Sequence, residues 1–288
     1  MEVCRRITRQ SASNLALAFV LLPKPRRDAM AALYAFCREV DDVADDEGTP
    51  VGQRRELLAA WRADVKTACD QGEPRMPVNR ELRPVIAQYR LPFALFDELL
   101  RGVEMDLDIK RYPTPDDLEL YCYRVASVVG LLSIEIFGCQ DRASRDYAIH
   151  LGKALQLTNI LRDVRVDALR GRIYLPLSEL ERFGVPPEDI LSSRYSGKFR
   201  ELAASMAARA RDFYRKARAT LPEADRRSLA TAELMGAVYW RLLRKIEASE
   251  FAVLSERTLR LGKPRKLFLI MRAGLKLAFG RLASDYGD

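Results

Sequence analysis

"LQLTNILRDVRVD", residues 155–167, sets Gln156, Asn159, Asp163 and Asp167 among leucine, isoleucine and valine. At about 100° per residue, a helix through this stretch gathers those four oxygen-bearing side chains within about 80° over roughly three turns. Leu155, Leu157, Ile160, Leu161 and Val164 fill the other side. Asparagine and aspartate are poor mid-helix residues, because their short polar side chains compete for backbone hydrogen bonds. Aligning them inside a helix costs stability, so a use is expected.

A second stretch repeats the spacing. In "YAFCREVDDVADD", residues 34–46, Tyr34, Arg38 and Asp45 fall within about 60° of Asp41, and Asp42 stands beside them at about 100°. An acidic run on a helix is ordinarily a solvated face. Here Asp41, Asp42, Asp45 and Asp46 crowd a C-terminal helix end, where the macrodipole disfavours negative charge unless a cation compensates. The acidic pair in "TPDDLELY" (114–121) needs no ligand. Thr114 suits an N-cap, Pro115 the first helical position, and Asp117 completes a capping box.

Carboxylates and an amide oxygen, with no cysteine or histidine beside them, suit Mg²⁺ (Mn²⁺ is possible) and not zinc. Two such stripes facing across a cavity would hold a diphosphate through several metal ions. Arg38, Arg162 and Arg172 are near enough in sequence to add bidentate phosphate contacts.

Outward from these stretches the pattern stays helical. Helices are predicted over 26–46, 52–70, 92–110, 115–137, 141–167, 197–220, 226–250 and 265–283, without period-two strands. Breaks fall at "GEPRMP" (72–77), "RYPTP" (111–115) and "FGVPPED" (183–189), none long enough for a linker. One all-α domain over 1–288 is the economical reading, with a basic C-terminal helix within 264–288. Five scattered cysteines with no C-x-x-C pair point to reduced thiols and a cytoplasmic protein. The run "LALAFVLLP" (15–23) is too short to span a bilayer and reads as core. No other stretch reads as a membrane span.

The net charge of +8 is concentrated at the end, with eight basic residues against two acidic ones from Arg257 onward. An anionic partner is expected there, such as a membrane surface on the inner face of the cytoplasmic membrane. The favoured alternative packs Leu267, Ile270, Met271, Gly274, Leu275, Ala278 and Leu282 against the core. A nucleic-acid partner is not expected, because the arginines do not line one groove-fitting helix and bare acidic stripes repel phosphate.

The chain resembles the squalene/phytoene synthase family, the head-to-head prenyl transferases. The resemblance rests on "LLPKPRRDAMAALYAFCREVDDVADD", "YCYRVASVVGLLS", "ALQLTNILRDVRVDALRGRIYLP" and "LMGAVYWRLL", in that order. Within the family, "RYPTPDDLELYCYRVASVVGLLSIEIFG" and "GKPRKLFLIMRAG" look most like bacterial presqualene diphosphate synthases of hopanoid pathways. The resemblance implies an all-α isoprenoid-synthase bundle with a central cavity. It implies Mg²⁺ at Asp41, Asp42, Asp45, Asn159, Asp163 and Asp167. It implies prenyl diphosphate contacts from Ser11, Ser13, Tyr34, Arg38, Gln156, Arg162 and Tyr239. Tyr121 and Tyr174 would sit near developing cations, and Gly130 would admit a prenyl chain. The expected reaction joins two farnesyl diphosphates into presqualene diphosphate, without NADPH, for a downstream isoprenoid enzyme. Phytoene, squalene and dehydrosqualene synthesis are the alternatives. The chain departs from the family at Asn14 and Leu15, and at Ser127 where "VAG" reads "VAS". Both changes are expected in cavity-lining segments.

Overall fold

The computed structural model describes residues 1–10, 18–256, 258–278 and 284–288. The described residues form helices α1 (Glu2–Gln10), α2 (Lys24–Asp45), α3 (Val51–Cys69), α4 (Pro77–Tyr89) and α5 (Phe93–Asp108). After α6 (Pro115–Cys122), a π-helical turn (Tyr123–Ser127) leads without a break into α7 (Val128–Phe137). Then come α8 (Ala143–Leu169), α9 (Leu177–Phe183), α10 (Pro187–Leu191), α11 (Gly197–Thr220), α12 (Ala230–Ala248) and α13 (Lys263–Ala278). Among the described residues there is no strand, only an isolated bridge between Arg111 and Ile173.

Each predicted helix has a counterpart, with ends shifted by a few residues, and positions 279–283 of the last one lie outside the described residues. Helices α1, α4, α9 and α10 were not anticipated. Each is short or interrupted by proline, as at Pro84 inside α4, so a window of several turns does not single it out. The expected Thr114 cap on α6 forms with its reciprocal Asp117 bond.

The path α6–π turn–α7 is the centre of the bundle. It is long and apolar enough to cross a membrane by length and composition, contrary to the expectation that no stretch is. Here its apolar faces are core, with Leu118, Val128, Leu131, Leu132, Ile136 and Phe137 buried. Two glycines let neighbouring helices press on the π turn. A Cβ on Gly102 of α5 would meet Arg124 Cβ at 2.7 Å, and one on Gly152 of α8 would meet Ser127 Cα at 2.5 Å. π turns cluster at functional sites, and this one lies between two cavities.

Ser127 is fully buried, and its hydroxyl donates to the Ile149 carbonyl of α8 at 2.8 Å. The expectation that Ser127 lines a cavity is therefore corrected: its side chain is held in a helix–helix seam. Asn14 and Leu15 lie outside the described residues. Of the run 15–23, Ala18, Phe19 and Leu22 are buried as expected, while Val20 is exposed.

The last helix also differs from expectation. α13 packs on α12 through Leu269, with Ala273 partly covered. Leu267, Met271 and Leu275, expected on the core, face solvent, whereas Ile270 is packed against it as expected; Leu282 and the Ala278 side chain lie outside what is described. The covered residues Leu269, Ala273 and Ile270 span about 100° of the wheel, in an arc centred about 150° from that of Leu267, Met271 and Leu275, so the helix keeps only the Ile270 edge of the predicted packing.

Candidate active site

Four helices, the π turn and a loop meet around a polar cavity of about 230 Å³. The last two turns of α2 bring Arg38, Asp41 and Asp45. α8 brings Gln156, Asn159, Asp163 and Asp167, as its spacing predicted. α5 adds Asp106, and α6 adds Tyr121. The loop after α8 folds back with Arg170, Arg172 and Tyr174. That loop is fixed by backbone bonds: Ile173 N–H donates to Lys110 C=O at 3.0 Å, and Leu177 N–H to Tyr112 C=O at 2.8 Å.

Five carboxylates and three guanidiniums line this space, an excess of negative charge. Its effect is visible at two positions. The Asp41 carboxyl is pushed up to about 7, first because the cavity wall surrounds it and then because Asp106 and Asp45 crowd it. It keeps its access to water through the cavity mouth, so crowding by protein and exposure coexist. Asp167 is likewise raised to about 7, by burial and then by Asp163. The arginines offset part of the crowding. Arg172 and Arg170 reach Asp45 at 3.0 and 3.2 Å. Arg172 is the more buried of the two and also faces Asp106.

The aromatic side of the cavity is a stack of three tyrosines. Tyr121 and Tyr174 have ring centroids 5.2 Å apart, and Tyr112 stacks on Tyr174 at 5.7 Å. Both Tyr121 and Tyr174 donate to Asp106, at 2.9 and 2.7 Å. Burial raises the Asp106 carboxyl, and the two phenols and Arg172 pull it back. Both phenols are held well above their ordinary range by burial and the Asp106 charge.

Asp106 and Tyr112 were missed in the sequence. Asp106 had a readable signal, since it falls within about 60° of Leu99 and Val103 on the buried face of α5. An aspartate on an apolar face needs partners. Tyr112 had none, because it follows a loop and no helical period includes it.

The remaining expected residues lie close by but not on the cavity wall. Asp42 is exposed and holds Arg38 at 2.5 Å. Arg162 pairs with Asp163 and reaches Tyr239. Tyr34 lies edge-on to Phe19, ring centroids 6.4 Å apart, and Phe19 lines the apolar cavity described below. Ser11 and Ser13 lie outside the described residues.

The donor set fits hard cations. Asn159 Oδ1 is buried without a hydrogen-bond partner, and it stands on the same α8 face as Asp163. Among the described residues no three carboxylates converge on a single point. Mg²⁺ takes one or two carboxylates and completes its shell with water and phosphate oxygens, so paired stripes suffice.

Beyond the π turn lies a second, apolar cavity of about 110 Å³. Val129, Gly130, Ile134 and Phe137 line one side, Ala148, Leu151, Gly152 and Leu155 the other, with Met235 of α12. Gly130 thus lies on the wall where a prenyl chain was expected. A Cβ there would come within 3.1 Å of the Ala148 carbonyl.

The two acidic stripes face one arginine-rimmed cavity inside an all-α bundle, as the sequence reading expected, and a separate apolar cavity lies across the π turn. A family model, "Squalene/phytoene synthase", matches residues 8–265. The chain belongs to the squalene/phytoene synthase family. It is 36% identical to a phytoene synthase of Arthrospira platensis over 274 residues, covering 89% of this chain and 86% of that one. It is 35% identical to a presqualene diphosphate synthase of Rhodopseudomonas palustris over 261 residues, covering 90% and 92%. The structure superposes on a dehydrosqualene synthase crystallised with a ligand, with a TM-score of 0.83 and 30% identity over 96% of each chain. The fold is that of the isoprenoid synthases, and the family resemblance read from the sequence is borne out.

Proposed function

We propose that this chain condenses two molecules of farnesyl diphosphate head to head into presqualene diphosphate, releasing one diphosphate, with Mg²⁺ as the metal. The observation that carries this reading is the pairing of the Asp41/Asp45 and Asn159/Asp163/Asp167 stripes across one cavity, with an apolar cavity on the other side of the π turn. Mg²⁺ bound by these stripes would neutralise the leaving diphosphate. Arg38, Arg170 and Arg172 stand where they can bind the same oxygens and stabilise the charge as it departs.

The allylic cation left behind requires faces of electron density and no water. The stacked rings of Tyr121 and Tyr174 supply the first, and the apolar lining past Val125 supplies the second. The C2–C3 double bond of the second farnesyl group attacks the cationic carbon. Loss of a proton from that carbon then closes the cyclopropane. Tyr121 and Tyr174 are poor bases for this step, since their hydroxyl protons are committed to Asp106 and their phenolates are strongly disfavoured. The released diphosphate is the better acceptor. The product keeps one diphosphate and needs no hydride, so NADPH has no part in the proposed reaction.

A second reading is phytoene synthesis from two geranylgeranyl diphosphates, favoured by the Arthrospira relative at comparable identity. Purified protein incubated with each diphosphate and Mg²⁺, with and without NADPH, separates the two. Mass spectrometry of phosphatase-treated and untreated extracts should show presqualene diphosphate from the C15 substrate. A C40 hydrocarbon formed only from the C20 substrate assigns phytoene synthesis, and NADPH-dependent squalene assigns a complete squalene synthase.

A further inference from the structure

Leu267, Phe268, Met271 and Leu275 on α13 are each 57–61% exposed. At about 100° per residue they share an arc of about 100° over two turns. Single exposed apolar residues are ordinary, but four on one helix face make a contiguous patch.

Cations border the patch on one side. Arg265 and Arg272 follow the apolar arc at about 140–160° on the same wheel. α12 contributes Arg241 and Arg244 to the same side. Burial lowers the Arg241 pKa, and Arg272, Arg265 and Arg244 lower it further, which puts four guanidiniums within mutual repulsion. Asp285 pairs with Arg272 at 3.0 Å and with Lys276 at 2.7 Å, so one carboxylate serves several cations.

We propose that α13 docks this protein on an anionic lipid bilayer, lying in the plane of the interface with Leu267, Phe268, Met271 and Leu275 in the acyl boundary and the arginines among lipid phosphates. A wide apolar arc flanked by arginine is the pattern of an interfacial helix. A second copy of the chain is a poorer occupant. A two-fold contact through this face would bring the arginine cluster of each copy toward its counterpart. The position also suits a greasy ligand. α12, on which α13 packs, lines the apolar cavity with Thr231, Ala232 and Met235. The docking itself stands apart from which prenyl product is made.

Flotation with phosphatidylcholine vesicles, alone or mixed with phosphatidylglycerol, tests the proposal. Wild-type protein should float with the anionic vesicles only, and release at about 1 M salt, where screening is complete within a few ångströms. Phe268→Ser with Met271→Ser should lower the bound fraction by about tenfold or more. Arg244→Gln with Arg265→Gln should weaken binding and flatten its salt dependence. These positions are exposed, so both variants should keep the wild-type circular dichroism, melting temperature and turnover of soluble substrate. Absence of flotation, equal flotation with neutral vesicles, or unchanged binding in the variants would overturn the proposal. So would a concentration-dependent dimer, lost in Phe268→Ser with Met271→Ser, on protein that binds no vesicle.

Discussion

The two cavities are built from the same pair of helical segments and have opposite chemistry. α8 gives Ala148, Leu151, Gly152 and Leu155 to the apolar one, and Gln156, Asn159, Asp163 and Asp167 to the polar one. The switch occurs between adjacent residues, Leu155 and Gln156. Facing them, the π turn gives Val125 to the polar cavity and Ala126 to the apolar one. One helix of about 40 Å thus changes from lining an apolar cavity to lining a carboxylate-rich one along its axis. An amphipathic helix usually divides by face; this one also divides by length. On the proposed function, that arrangement would put the diphosphate at one end and its chain at the other, which is the geometry an ionising prenyl substrate needs.

The largest effects are expected at the polar end. Asp41→Asn and Asp163→Asn should each lower turnover by about 10²-fold or more, since each removes charge that, on the proposed function, would hold the metal–diphosphate group. Far-UV circular dichroism should be unchanged. Substantial activity in both variants would break the assignment of this cavity to ionisation.

A smaller loss is expected at the junction. Asp106 touches neither proposed substrate portion by charge alone; it fixes Tyr121 and Tyr174 through their hydroxyls. Asp106→Asn keeps one acceptor oxygen and drops the charge. Turnover should fall about tenfold, with little change in KM for the prenyl diphosphate. A rise in KM without loss of kcat would assign Asp106 to diphosphate binding instead.

The polar cavity should also make the metal-free protein sensitive to pH. Asp41 and Asp167 are raised to about 7, whereas an unfolded carboxyl titrates near 4. Between those values the folded state holds more protons than the unfolded one. Stability from these groups is therefore greatest on the acid side and is lost as pH rises toward 7. Asp41→Asn should melt at a higher temperature than wild type at pH about 8, and the gap should narrow toward pH about 5. Mg²⁺ should close it from the other direction by stabilising wild type. Parallel melting curves across this range would show that the crowding is relieved in another way.

Much of the polar end was legible in the sequence, because a helical period of 3.6 converts spacing into a shared face without knowledge of the fold. Asp41, Asp45, Asn159, Asp163 and Asp167 were found that way. Asp106 was overlooked because it stands singly, and Arg170 because it follows the helix end. What brings them in is the return of the loop through Ile173 and Leu177, a contact of long sequence separation. Periodicity failed for α13 for a related reason. Its apolar residues surround more than half the wheel, and composition does not say which arc meets α12. Leu269 settles that by fitting the seam, leaving the richer face outside.

The smallest effect is expected where the chain departs from the family, at Ser127. If its side chain faced the prenyl chain, serine for glycine would narrow the apolar cavity and favour the shorter substrate. Its hydroxyl instead bonds the Ile149 carbonyl, and Ala126 and Val129, not Ser127, are on the wall. Ser127→Gly should therefore leave the ratio of products from C15 and C20 diphosphates unchanged. It should cost about 1–2 kcal/mol of stability, from the lost hydrogen bond and the greater freedom of glycine in a helix. Gly130→Ala is the informative partner, because its new methyl group would stand on the wall, close to the Ala148 carbonyl. A shift of chain-length preference in Gly130→Ala but not in Ser127→Gly would locate size selection on the cavity wall. A shift in Ser127→Gly would mean that the seam between the π turn and α8 sets the width of the cavity, and that the boundary between the two regions is itself adjustable.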